Sequence, residues 1–241
     1  MLKLSIVLGI VAALADVVGG FVLVRARGVE RYLRYFVALG AGFLMGTAML
    51  EMAPESFRVS PQLGPILMMA GYCAVHFLEH TINSHFHYGE ETHDHEFVSR
   101  RTGYSVLAGL GTHALFDGVA IGAGFVVSDK LGWLIFLAIL LHKAPEGFTM
   151  ASVMLASGRS RVAAFWAAVV LALATLAGVL VIELAPRLLP YGLPISAGVA
   201  FYVGASDLVP EVNREPGIRM ALVFFLGVAG FLLLRLILPA V

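Results

Sequence analysis

The chain has 241 residues, 59% of them hydrophobic and only 13% charged, with a mean hydropathy of +0.89. A soluble domain is roughly 45–50% apolar and about 25% charged, so a soluble enzyme and a disordered protein are excluded, as is a transmembrane barrel, whose strands alternate. Sixteen basic residues balance sixteen acidic ones, so no net field points to nucleic acid, and the single Cys73 rules out an intrachain disulfide.

A helix crossing the hydrocarbon needs about 20 mostly apolar residues. Eight such runs follow one another, at about 4–24, 33–53, 62–82, 104–127, 131–156, 162–185, 193–212 and 218–238. The first follows Lys3 with no small-residue cleavage site and reads as a retained helix. The expected fold is therefore an all-α polytopic membrane protein of eight transmembrane helices, with residues 1–241 forming a single transmembrane domain. One polar stretch, 83–101, interrupts it.

Loop charge sets the expected orientation. Connections 1–2, 3–4, 5–6 and 7–8 hold Arg25, Arg27, Arg31, Arg34, Arg100, Arg101, Arg159, Arg161, Arg214 and Arg219. The termini and the other connections hold only Lys3, Arg58, Lys130 and Arg187. Ten against four predicts both termini outside and 83–101 in the cytoplasm, and the compact loops favour a bacterial inner membrane.

The second run carries Ala41-Gly42 and then, eight residues on, Glu51-Met52-Ala53-Pro54-Glu55. The seventh repeats this at the same spacing with Ala197-Gly198 and Asp207-Leu208-Val209-Pro210-Glu211. The fourth holds His113-Ala-Leu-Phe-Asp117-Gly118 and the fifth His142-Lys-Ala-Pro-Glu146-Gly147, both His-x-x-x-acid-Gly. Each pair runs in opposite directions across the bilayer. Inverted repeats around a midplane site are how many secondary transporters give one site access from either side, and they predict a 3+2+3 arrangement of the helices.

At about 1.5 Å rise per residue, Asp117 comes level with His142 and His113 with Glu146. Each pair on one helix is i,i+4 and shares a face, so His113, Asp117, His142 and Glu146 are the candidate metal ligands. Unpaired, the charges of Asp117, Lys143 and Glu146 would cost roughly 8–10 kcal/mol at the bilayer centre. Two imidazoles with two carboxylates suit a divalent transition metal such as Zn²⁺, whereas potassium or sodium has no need of imidazole. A neutralised polar network locking two helices together is the bland alternative. Pro145 leaves the Leu141 carbonyl without its helical donor, as any kinking proline does. Lys143, i,i+3 from Glu146, is expected to act as a counter-charge that repels a second metal, which predicts one bound ion.

Glu51 and Glu55 are expected at the uptake mouth, and Asp207, Glu211, His76, Glu79 and His80 at the exit; interfacial acids and helix-end solvation are the competing readings. Asp16 has no evident partner, and Arg235 is expected to snorkel outward. Within the polar stretch, His85, His87, His93 and His95 lie among Glu90, Glu91, Asp94 and Glu96, a composition that binds borderline metals weakly.

An intramembrane zinc-dependent hydrolase would use His113, Asp117 and His142 around a metal-bound water. The fifth helix, however, lacks a His-Glu-x-x-His pattern, and a hydrolase needs neither duplication nor acids at both mouths, so no enzyme is expected. A metal sensor without flux is the other alternative.

The segments His113–Gly118 and His142–Gly147, with Gly42 to Glu55 and Tyr202 to Glu211, resemble the ZIP (Zrt/Irt-like protein) family of divalent-metal transporters, across all eight helices in order. The His-Lys-Ala-Pro form of the fifth helix is similar to one subgroup. Many members have His-Glu-x-Pro-His-Glu there and a polar residue such as Asn after the fourth-helix histidine; Lys143 and Ala114 stand in those places here. This departure removes two ligands of the second metal position in binuclear members. The resemblance implies alternating-access uptake of Zn²⁺ (or Fe²⁺, Mn²⁺ or Cd²⁺) into the cytoplasm as transported substrate, without an organic cofactor. It also implies a helix-bundle core moving against a scaffold, often in a homodimer.

Overall fold

The computed structural model describes residues 3–25, 30–82, 100–214 and 216–239. The loop residues His85, His87, His93 and His95 therefore lie outside the described residues. Among the described residues all regular structure is helical.

The helices are α1 (Leu4–Arg25), α2 (Glu30–Thr47, continued through Ala48–Met52 and Ala53–Val59), α3 (Gly64–Ile82), α4 (Arg100–Val127), α5 (Asp129–Ala156), α6 (Arg161–Leu184), α7 (Leu189–Tyr202, continued through Val203–Leu208 and Val209–Arg214) and α8 (Ile218–Ile237). Side-chain caps start two of them. The hydroxyl of Ser128 accepts from the Leu131 amide at the head of α5, and that of Ser160 from the Ala163 amide at the head of α6, each at 3.2 Å.

Among the described residues, seven helices are long and apolar enough to cross a membrane. The exception is α3, which has the length but carries His76, Glu79 and His80 in its last two turns. The eight apolar spans expected from the sequence are thus seven, plus one helix with a polar end.

The middle segments of α2 and α7, Ala48–Met52 and Val203–Leu208, are wound as π-helix. Each lies just ahead of a proline. Pro54 and Pro210 bring no amide hydrogen to the carbonyls of Leu50 and Ser206 four residues back, so the α-helical ladder cannot run through unchanged. These two turns also hold the motif acids Glu51 and Asp207.

The four helices that carry motifs are the more enclosed ones. The central windows of α2 and α5 are both 67% buried, against 17% for α8, and outward residues such as Leu184, Leu236 and Ile218 give a lipid-like apolar surface. Helices meet closely at glycines, where small residues let backbones approach. A methyl at Gly147 on α5 would sit 2.0 Å from the Asp16 carbonyl oxygen on α1, and one at Gly118 on α4 would sit 1.9 Å from the Thr175 carbonyl oxygen on α6. In the same way Gly42 meets α8 at Phe224 (2.0 Å) and Gly198 meets α3 at Met68 (1.9 Å). The glycine closing each His-x-x-x-acid-Gly motif is thus a helix crossing, and it fixes what lies opposite the acid.

Candidate metal centre

α4 and α5 pack against each other with their i,i+4 faces together. His113, Asp117, His142 and Glu146 each offer a ligand atom, all within 4.8 Å of one another, and all four residues are buried. The Asp117 Oδ2 atom lies 3.2 Å from His113 Nε2 and 3.4 Å from His142 Nε2, and Glu146 Oε2 lies 3.9 Å from His113 Nε2. Ligand atoms at 2.0–2.2 Å from a tetrahedral zinc ion stand about 3.3–3.6 Å apart, so small side-chain rotations would close this set around one ion.

Several surrounding contacts orient the ligands. His142 Nδ1 lies 2.8 Å from the Ala138 carbonyl, one turn back, and donates to it, which leaves Nε2 with its lone pair toward the other ligands. The Ser196 hydroxyl on α7 donates to the Phe116 carbonyl at 3.0 Å and braces α4 beside Asp117. Among the described residues, His113 Nδ1 and Glu146 Oε1 are buried without a hydrogen-bond partner.

Lys143 is fully buried, and its ammonium lies within the ligand set, 2.8 Å from Asp117 Oδ2 and 2.6 Å from Glu146 Oε2. The oxygens that would face a metal ion here face a tethered cation. A third carboxylate, Asp16 of α1, lies 3.7 Å from the same ammonium. Sequence reasoning left Asp16 without a partner, because nothing local links α1 to α5; close crossings at Gly147 and Gly19 bring them together.

The expected mouth residues divide into two groups at opposite ends of the bundle. At one end, Glu51 pairs with Arg235 Nε of α8 at 2.5 Å, and a second nitrogen of that guanidinium lies 3.5 Å from the Leu50 carbonyl, the one Pro54 leaves free. Arg235 therefore turns onto Glu51 rather than simply reaching outward. Glu55 is held nearby by Arg58 at 2.6 Å.

At the other end, Glu79 accepts from the Tyr202 hydroxyl at 2.8 Å, and the largely buried Asp207 lies within electrostatic reach of Glu79. His76 and His80 stack with ring centroids 4.1 Å apart, and His80 Nδ1 lies 3.0 Å from the His76 carbonyl. Glu211 pairs with Arg214 at 3.4 Å. The four central residues form one cluster; Glu55 and Glu211 stay in local surface ion pairs. Glu183, near the end of α6, is tied to Lys3 at 2.6 Å and accepts from the Ser5 hydroxyl.

Comparison with known proteins adds an independent line. A profile of the family described as ZIP Zinc transporter matches residues 89–235, more than half of the chain. The chain is 32% identical to the zinc transporter SLC39A7 of Mus musculus over 147 residues, which covers 54% of this chain and 30% of that protein. It is 24% identical to the zinc transporter ZIP9-B of Xenopus laevis over 183 residues, 60% of each, and 30% identical to the zinc transporter zipt-7.1 of Caenorhabditis briggsae over 120 residues, 47% of this chain and 31% of that protein. The match to the mouse protein thus spans under a third of that relative's length. With the profile running from before α4 to near the end of α8, the chain belongs to the ZIP zinc transporter family.

Proposed function

We propose that this chain carries zinc, or a closely related divalent transition metal, across the membrane into the cytoplasm through a single ion site made by His113, Asp117, His142 and Glu146. One observation carries the reading: two adjacent membrane-length helices bring two imidazoles and two carboxylates within 4.8 Å, buried in the bundle. That donor set suits zinc and its neighbours. The three relatives compared above are zinc transporters, which supports zinc as first choice.

Lys143 acts as the counter-charge that keeps the site to one ion and holds its carboxylates when no metal is bound. The departure from a binuclear pattern at Lys143 and Ala114 supports this and agrees with the His-Lys-Ala-Pro subgroup. Glu51 and Glu55 attract cations at the uptake mouth, and Asp207, Glu79, His76, His80 and Glu211 receive them on the way out, with His85, His87, His93 and His95 as weak acceptors beyond. Loop arginines support the orientation with both termini outside.

Alternation follows from a 3+2+3 inverted repeat, which packing supports. Helix α1 packs on α5 as α6 does on α4, α2 on α8 as α7 on α3, and α2 on α5 as α7 on α4. Exchanging α1, α2 and α3 with α6, α7 and α8, and α4 with α5, maps each of these contacts onto its counterpart. A shift of 156 residues takes Gly42 to Gly198, Glu51 to Asp207 and Gly71 to Gly227, and Gly71 and Gly227 are also close crossings, where an added methyl would sit 2.2 Å from the Ile195 and Leu39 carbonyl oxygens. The group α1, α4, α5 and α6 then moves as a body that carries the ion site against α2, α3, α7 and α8.

The test is uptake of ⁶⁵Zn by liposomes containing the purified chain, with His113→Ala and His142→Ala as controls. Saturable uptake that both variants lose while still inserting supports the proposal. Zinc binding without flux would mean a sensor, and flux unaffected by both variants would end the assignment of this site.

A further inference from the structure

Asp16 has no role in the site as described so far. It is fully buried, and neither of its carboxylate oxygens has a hydrogen-bond partner among the described residues. A carboxylate without a hydrogen bond within a bilayer-spanning bundle is costly, and intramembrane ionisable residues mark functional sites. The corresponding crossing on the other side shows how easily the position can be satisfied. There Gly118 meets α6 at Thr175, whose hydroxyl bonds the Leu171 carbonyl of its own helix at 3.3 Å. Thr175 needs nothing from the site, whereas Asp16 faces Lys143 from 3.7 Å.

The geometry points to Asp16 as the carboxylate that takes over the Lys143 ammonium when a divalent ion enters, and so makes the loaded site electrically neutral. This deepens the transport reading and rests on it. In the structure the ammonium stands between Asp117 and Glu146, the place the ion must take. A divalent cation cannot share those oxygens with an ammonium at this range without strong repulsion, so Lys143 must leave.

Asp16 lies on the third side of the ammonium. A shift of about 1 Å brings Nζ to charge-assisted hydrogen-bond distance from Asp16 Oδ2. The formal charges agree: an ion of two positive charges, one ammonium and the two ligand carboxylates leave one positive charge over, and Asp16 cancels it. Without Asp16 every loaded site would strand an ammonium in a water-poor bundle. Asp16 is thus a positioning residue that acts through Lys143 and touches no metal.

The experiment is a double-mutant cycle on the purified full chain, with zinc affinity read by calorimetric titration and with ⁶⁵Zn uptake measured in parallel. Asp16→Asn is expected to weaken zinc binding by about ten- to a hundredfold, the range typical of groups that support metal ligands from behind, and Asp16→Glu should recover most of it. In a Lys143→Gln background the same Asp16→Asn change should cost no more than a few-fold, because no ammonium needs a new partner.

Equal losses in both backgrounds, or wild-type affinity in a monodisperse Asp16→Asn protein, would overturn the assignment. Should Asp16→Asn alone fail to fold, the comparison of Lys143→Gln with the double variant decides it in the same way. A wild-type chain that binds no zinc in this titration would fail the transport reading itself, an outcome distinct from a wild type that binds while the cycle shows no coupling.

Discussion

The two ends of the bundle carry related acids in π-wound turns and treat them in opposite ways. Glu51 is closed off by the Arg235 guanidinium at 2.5 Å, and the same side chain also reaches the Leu50 carbonyl. Asp207 sits near Glu79 and the Tyr202 hydroxyl, with no basic side chain in a described ion pair with it. The shift of 156 residues that equates Glu51 with Asp207 also equates Glu79 with Arg235. One exchange of charge at one repeat position thus puts a guanidinium on the motif acid at one end and a second carboxyl group near the motif acid at the other.

The largest expected effect tests whether this contrast matters only relative to the centre. His142→Ala removes a nitrogen ligand and leaves the cluster one donor short, so ⁶⁵Zn flux should fall by about a hundredfold or more, beyond the range expected for supporting residues. Neither mouth variant should approach that loss. If Glu51→Ala or Asp207→Ala matched it, the mouths would be part of the binding site, and the division into centre and ends would fail.

The next effects separate the ends. Asp207→Ala should lower flux by about tenfold, since a carboxyl group with no described basic partner of its own attracts cations more than a paired one does. Glu51→Ala should lower it by about two- to threefold, because an ion pair with a partly exposed arginine leaves little field to lose. Equal effects would show that Arg235 does not screen Glu51. Arg235→Gln should move the other way, lowering the zinc concentration for half-maximal flux by about two- to fourfold at low salt, an advantage that vanishes as ionic strength rises. The side-chain exposure of Arg235, 42%, makes it the screened, tunable partner of the pair.

Much of this was legible in the sequence for definite reasons. Apolar runs of membrane length gave the helices, because a bilayer leaves few other solutions for the backbone. The i,i+4 spacing within α4 and within α5 put His113 with Asp117 and His142 with Glu146, since helical periodicity is a local property. The polar end of α3 blurred its count as a span, for hydropathy averages over residues that a bundle can shelter.

What the sequence hid was long-range. Arg235 read as an outward-reaching side chain because its partner is 184 positions away on another helix, and Asp16 read as unassigned because the glycine crossings between α1 and α5 set it against Lys143. Pro54 and Pro210, members of the repeated motif, break the α-helical ladder in α2 and α7, which were expected as plain spans. That the break is a π turn presenting the motif acid depends on neighbours that no local pattern encodes.

The smallest expected effect concerns the polar stretch between α3 and α4. In sequence it follows the end of α3 that carries Glu79 and His80, so its histidines compete with Asp207 and Glu79 as the source of attraction at that end. Those two acids are built into helices, whereas His85, His87, His93 and His95 fall in a polar run whose composition binds borderline metals weakly. Replacing residues 83–99 by a short Gly/Ser linker should therefore keep at least about half of the flux, as weak acceptors add little. Normal insertion with flux reduced to the level of Asp207→Ala would move the attraction for cations at this end from the helices to the loop, and the contrast between the two ends would then rest on the connection rather than on the repeat.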